Sequence, residues 1–342
     1  MVNFKNDYNK IAHKNILEAM LRLQDEANVG YGLDEHSKNA SSLIKKYLEC
    51  DADVHFLVGG TSANKVVISH VLKPYEAVIS ASTGHICVHE TGAIEATGHK
   101  IITVNGVNGK ITPNEIETVV LSHTDEHMVS PRMVYITQAT EIGSLYTKCE
   151  LIEIHNMCKK YGLYLFLDGA RLAVALDKSD ITLADLATYT DVFYIGGTKN
   201  GALLGEAVVI TNDDIKKSFR YSIKQNGGMY AKGFVAGIQF EELFKDGLYF
   251  KLGHNSNSMA EYLVSGLINR GIELEYPPVT NQLFVRVSNE LYEKLFNFVL
   301  FELWEDKTNY KVIRFVTNYS TTTEEIDNFF KKLDEINWKY TK

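Results

Sequence analysis

The stretch VFYIGGTKNGALLGEAVVI, residues 192–210, sets two apolar, β-branched runs on either side of a glycine-rich segment that carries one lysine, Lys199. Each run reads as a strand covered on both faces. Only about ten residues separate VFYIGG from AVVIT, fewer than the dozen or more that a parallel crossover needs, so this pair is expected to be antiparallel. Upstream, five further runs of the same kind follow one another: VHFLV, AVISA, KIITV, MVYIT and LYLFLD. Segments of helical length and polarity lie between most of them. The pattern predicts an α/β fold, a mostly parallel seven-stranded sheet with helices on both faces. Ligands are then expected at the carboxyl ends of the strands.

The flanks divide the chain. Residues 1–50 read as an N-terminal helical segment with two amphipathic helices, NILEAMLRLQDEA and SKNASSLIKKYLE; residues 51–250 form the large α/β domain and 251–342 a small C-terminal α+β domain. From about residue 272 the small domain reads as strand IELEY, strand NQLFVRVS, helix ELYEKLFNFVL, strand YKVIRFVTN and helix TEEIDNFFKKLDEI. A long helical region beyond residue 213 is expected to cross between the domains.

With 342 residues, 45% hydrophobic and 23% charged, the chain reads as an ordinary globular protein, and its net charge of -8 argues against nucleic acid or an anionic membrane as a general partner. The N-terminus MVNFKNDYNK has no apolar signal core, and no run approaches the ~18 apolar residues of a membrane helix, so a cytoplasmic location is expected. The four cysteines, Cys50, Cys87, Cys149 and Cys158, form no CxxC pair and read as reduced thiols; no metal site is expected.

Three strand ends carry chemistry. In VHFLVGGTSANKVVISHVL an apolar strand meets Gly59, Gly60, Thr61 and Ser62 and then a helix. Free N–H groups, hydroxyls and the positive end of the helix dipole there suit a phosphate, although a glycine turn with a hydroxyl N-cap gives the same pattern. In LYLFLDGARL, Asp168 ends a strand too apolar to leave a carboxylate unpartnered; it either pairs with Arg171 or meets a protonated ring nitrogen of a ligand. Lys199 ends the next strand, as a solvated loop lysine or as an amine able to form a Schiff base. A phosphate cradle, an acid for a ring nitrogen and a reactive amine are together the parts of a pyridoxal-phosphate site.

The order GGTSAN, GHICVHETGAIEATG, LFLDGARL and IGGTKNGALLGE resembles the fold type I pyridoxal-phosphate enzymes, and most closely the low-specificity L-threonine aldolase and β-eliminating lyase family, from about Phe4 to Thr317. The resemblance implies a PLP-binding large domain in which Lys199 carries the cofactor and Asp168 meets its ring nitrogen. Gly60, Thr61 and Ser62 would hold its phosphate, and His85 would stack on its ring. It assigns Arg171 and Arg314 to the substrate carboxylate, and brings Tyr31 and Lys224 to the cofactor region from a neighbouring subunit of a homodimer or homotetramer. His127 matches a second active-site histidine, and either His85 or His127 can serve as the base.

The sequence departs from the family's common form in two places. Asn6 stands where that form has a serine before the aspartate, and is carried as a substrate contact. After MVYIT the chain reads QATEIGSLY in place of an asparagine- and histidine-containing segment, which marks a variant branch. The implied reaction is cleavage of a small β-hydroxy-α-amino acid such as threonine to glycine and an aldehyde. The alternatives are β-elimination from another amino acid and a non-catalytic phosphate-ligand binding protein.

Overall fold

The computed structural model describes residues 1–336. After a two-residue strand β1 (Val2–Asn3) come β2 (Asp53–Leu57), β3 (Glu76–Ala81), β4 (Lys100–Val104), β5 (Ser130–Thr137), β6 (Tyr164–Asp168), β7 (Val192–Gly196) and β8 (Glu206–Ile210). The last seven of these form one sheet in the order β2-β8-β7-β6-β5-β3-β4, each at one of the seven apolar runs. Strand β8 is antiparallel to both neighbours, β7 and β2, as the short connection requires, while the other pairs are parallel.

Every residue of β3, β7 and β8 is buried, which is why these strands read as unbroken apolar runs. Alternate side chains enter opposite layers. Val134, Leu165 and Phe193 pack with Ile16, Ile44, Leu172 and Phe240 from helices on one face. Met133, Phe166 and Tyr194 pack with Val66, Val67 and Phe219 on the other.

Several helices close their N-termini with reciprocal capping boxes, Thr112 with Glu115, Thr147 with Glu150, Thr182 with Asp185 and Thr322 with Glu325. The twelve-residue helix Gly60–Val71 does not. Its cap is Gly59, which has no side chain to offer, so its first N–H groups stay open.

Strands β9 (Gln282–Val287), β10 (Val299–Leu300), β11 (Glu302–Asp306) and β12 (Lys311–Val316) complete the set. A three-stranded antiparallel sheet, β11-β12-β9, packs its apolar side into a second core with Leu263, Phe329 and Phe330, and β1 pairs with β10 so that Phe4 belongs to that core too. The 21-residue helix Leu248–Ile268 sends Tyr249 and Leu252 into the first core and Leu263 and Leu267 into the second.

Two expectations for this region are corrected. The segment IELEY makes only a bridge from Leu274 to Val285. The helix read through ELYEKLFNFVL stops at Leu295, because Phe298, Val299 and Phe301 turn into the second core, and the chain continues as β10 and β11. No described helix is long and apolar enough to cross a membrane.

Candidate active site

Strands β2, β3, β5, β6 and β7 run the same way and β8 runs against them, so five strand ends and one strand start share an edge of the sheet. A cavity of about 460 Å³ opens there, lined by Gly60, Thr61, His85, Glu141, Asp168, Arg171, Lys199 and Glu206, with Glu302, Trp304 and Arg314 reaching in from the small sheet.

The helix Gly60–Val71 starts at this wall, and the N–H groups of Gly60, Thr61 and Ser62 find no acceptor among the described residues. With the positive end of the helix dipole behind them, they form an anion site. Gly60 and Thr61 line it as expected. The Ser62 side chain does not: its Oγ packs toward Gly228, where an added Cβ would stand only 2.9 Å away.

Asp168 is 4% exposed and forms no ion pair among the described residues. Tyr194 OH and the Ala170 N–H donate to its Oδ1, and Tyr135 OH and Asn64 Nδ2 donate to its Oδ2. Burial and the Asp168 charge push both phenols well up, so they stay protonated and remain donors. The carboxylate is thus fixed by neutral groups, and its charge is left to meet a cation from outside the protein.

Arg171 is not its partner. The Arg171 Nε donates to Asp7 Oδ2 at 2.7 Å and Nη2 to Oδ1 at 3.2 Å, both groups being buried. Burial alone would raise the Asp7 carboxyl, but the guanidinium overcomes it and brings the pKa down to about 2. The expectation at Asn6 therefore shifts by one residue. Asn6 stays out of the cavity, its Oδ1 accepting from the Tyr8 N–H, and Asp7 is the residue that meets the cavity wall, through Arg171.

Lys199 sits on a loop pinned at several points. The Gly197 N–H donates to Glu206 Oε2 at 2.7 Å, the Gly205 N–H to Thr198 Oγ1 at 3.0 Å, and Asn200 Nδ2 to the Tyr249 carbonyl at 2.8 Å. Burial, and next the charge of Arg171, lower the lysine's pKa, which favours the neutral, nucleophilic amine. Gly169 and Gly196 let the ends of β6 and β7 touch: a Cβ on Gly169 would lie 2.0 Å from the Tyr194 carbonyl, and one on Gly196 2.3 Å from that of Ala170. This close approach holds Asp168 and the Lys199 loop together.

His85 opens the short helix after β3. Its Nδ1 lies 2.8 Å from Glu90 Oε1, which also accepts from Asn64, leaving Nε2 toward the cavity. Burial opposes the charged imidazole, but the hydrogen bond to Glu90 prevails and the pKa is raised. In the small sheet, Arg314 donates to Gln282 and to Glu302, stands 5.3 Å over the Trp304 ring, and keeps its Nε unpartnered.

Three expected residues lie elsewhere. His127 is exposed in the turn before β5, at the amino end of a strand whose carboxyl end faces the cavity. Eight residues of strand, roughly 26 Å at about 3.3 Å each, stand between. Tyr31 and Lys224 sit together, the ammonium 4.9 Å from the ring centroid, with Arg220 donating to the Tyr31 carbonyl, and neither lines the Lys199 cavity of its own chain.

Asp7, Asn64, Glu90, Tyr135 and Tyr194 carry no signal of their own in the sequence, and Glu141 is marked only by lying in the departing segment QATEIGSLY. The open helix start, the anchored carboxylate without a cationic partner and the half-buried amine fit the phosphate, ring nitrogen and aldehyde of pyridoxal phosphate.

Comparisons with known proteins agree with this geometry. A family model described as beta-eliminating lyase matches residues 12–290. A low specificity L-threonine aldolase from Pseudomonas sp. is 36% identical over 80% of this chain and 82% of its own length. A solved threonine aldolase structure from Leishmania major superposes with a TM-score of 0.96 at 46% identity, covering 98% of this chain and 99% of that one. Aspartate aminotransferase from Thermus thermophilus shares the fold at a TM-score of 0.72 with 13% identity.

Proposed function

The chain belongs to the β-eliminating lyase family, and on that premise we propose that it is a pyridoxal-phosphate-dependent aldehyde-lyase cleaving β-hydroxy-α-amino acids such as threonine and allo-threonine to glycine and an aldehyde. The observation that carries this reading is the convergence of an open helix N-terminus, the caged Asp168 and the amine of Lys199 on one cavity that also holds Arg314.

The start of the Gly60–Val71 helix would hold the cofactor's phosphate, Asp168 would keep its ring nitrogen protonated, and Lys199 would supply the amine that anchors it, with His85 on the ring side of the cavity. When bound, the cofactor supplies an electron sink for the pair released at Cα. Arg314 and Arg171, the latter through the Nη1 that Asp7 leaves free, hold the substrate carboxylate. Fixing the carboxylate at one end sets the orientation of the Cα–Cβ bond, the geometric requirement for its cleavage.

The protein works in the cytoplasm as a homo-oligomer, in which the exposed Tyr31 and Lys224 face the cavity of a neighbouring subunit. The direct test supplies L-threonine and L-serine to the purified protein with pyridoxal phosphate and measures glycine, aldehyde and 2-keto acid. Glycine and acetaldehyde from threonine in equal amounts are expected. Pyruvate from serine as the dominant product would replace the aldolase with a β-eliminating lyase.

A further inference from the structure

We propose that Glu141 is the group that binds the substrate's β-hydroxyl and takes its proton as the Cα–Cβ bond breaks. The inference rests on the aldolase reading above.

Glu141 is 8% exposed, lines the cavity, and its carboxylate has no hydrogen-bond partner among the described residues. Every other carboxylate in the wall is engaged. Asp168 holds its set of donors, Glu206 accepts from the Gly197 N–H and Glu302 from Arg314. Its oxygens open onto the cavity with nothing in the protein to accept from, so they are free to accept from a ligand there.

The turn that carries Glu141 is braced on both sides. Gln138 bonds the backbone of Tyr146 in both directions, at 2.9 Å and 3.1 Å, Thr140 Oγ1 lies 2.7 Å from Ser144 Oγ, and Gln282 donates to the Thr140 carbonyl at 3.2 Å. The backbone that presents the carboxylate is therefore fixed before substrate arrives.

The groups around it decide what it does. Lys199, His85, Arg171 and Arg314 all feel its charge. Arg171 and Arg314 are donors and cannot take a proton. His85 has its Nδ1 engaged with Glu90 and is the residue assigned to the face of the cofactor ring. Glu141 is left as the unoccupied acceptor. In the step, the substrate O–H bond breaks and its proton passes to a Glu141 oxygen. The freed electron pair becomes the second bond of the aldehyde carbonyl, and the Cα–Cβ pair stays with Cα, which later takes a proton to give glycine.

The experiment uses the holoenzyme of wild type, Glu141→Gln and Glu141→Asp, with two readouts. One is kcat/KM for threonine and allo-threonine across pH; the other is the dissociation constant of glycine, which has no β-hydroxyl, from the change in visible absorbance on titration. The expected result for Glu141→Gln is a loss of about 100-fold or more in kcat/KM at every pH measured. Glycine affinity should stay within about threefold, and Glu141→Asp should recover part of the rate.

Cleavage by Glu141→Gln within about threefold of wild type would overturn the inference alone. So would glycine affinity falling in step with the rate, since the side chain would then only shape the site. A wild type inert toward both substrates would overturn the aldolase reading and take this inference with it.

Discussion

Glu206 begins β8 with a 4% exposed carboxylate whose Oε2 accepts from the Gly197 N–H, two residues before Lys199. Burial raises its pKa from 4.5 to about 7. A carboxyl raised in the folded state is protonated there while the unfolded chain has already ionised, so stability declines as pH rises from about 4.5 through about 7. Glu206→Gln, which cannot ionise, escapes that decline. Unfolding free energies of the two proteins should move apart in the variant's favour between about pH 5 and 8, by at most about 3 kcal/mol; a gap independent of pH would contradict the assignment. Glu206 also illustrates what single residues reveal in sequence. Lys199 and Asp168 were legible because a charged residue ending an apolar run is conspicuous. Asp7 and Glu141 were not, since the partner of one and the isolation of the other depend on residues far away in the chain.

At the scale of elements, the sheet was legible because strands buried on both faces leave unbroken apolar runs, and the length of the loop between β7 and β8 dictated their antiparallel pairing. Strand β11 was hidden: ELWED is a half-exposed edge strand whose charged positions look like a loop. The helix read across residues 290–300 failed for the complementary reason, that phenylalanines in a turn can satisfy a helical period while packing into a core. The contact between the ends of β6 and β7 makes its own prediction. Gly169→Ala places a methyl group 2.0 Å from the Tyr194 carbonyl, so the strands must separate. A loss of about 1–3 kcal/mol is expected by thermal or denaturant unfolding, with weaker cofactor binding by absorbance titration. An unchanged variant would mean that the two strand ends are not held at this distance.

Across the whole molecule, two cores meet along the helix Leu248–Ile268, and the cavity lies where the edge of the large sheet faces β11 and β12. The large sheet contributes the anion site, Asp168 and Lys199, while the small sheet contributes Arg314. In the proposed function, the end that anchors the cofactor and the end that reads the substrate therefore belong to different layers. The central claim is that this cavity holds pyridoxal phosphate through Lys199. The most direct measurement reduces the cofactor-loaded protein with borohydride, digests it and locates the added mass. The account predicts one phosphopyridoxyl group on the peptide containing Lys199, absent in Lys199→Ala; the same mass found on a different lysine, or on none, would contradict it.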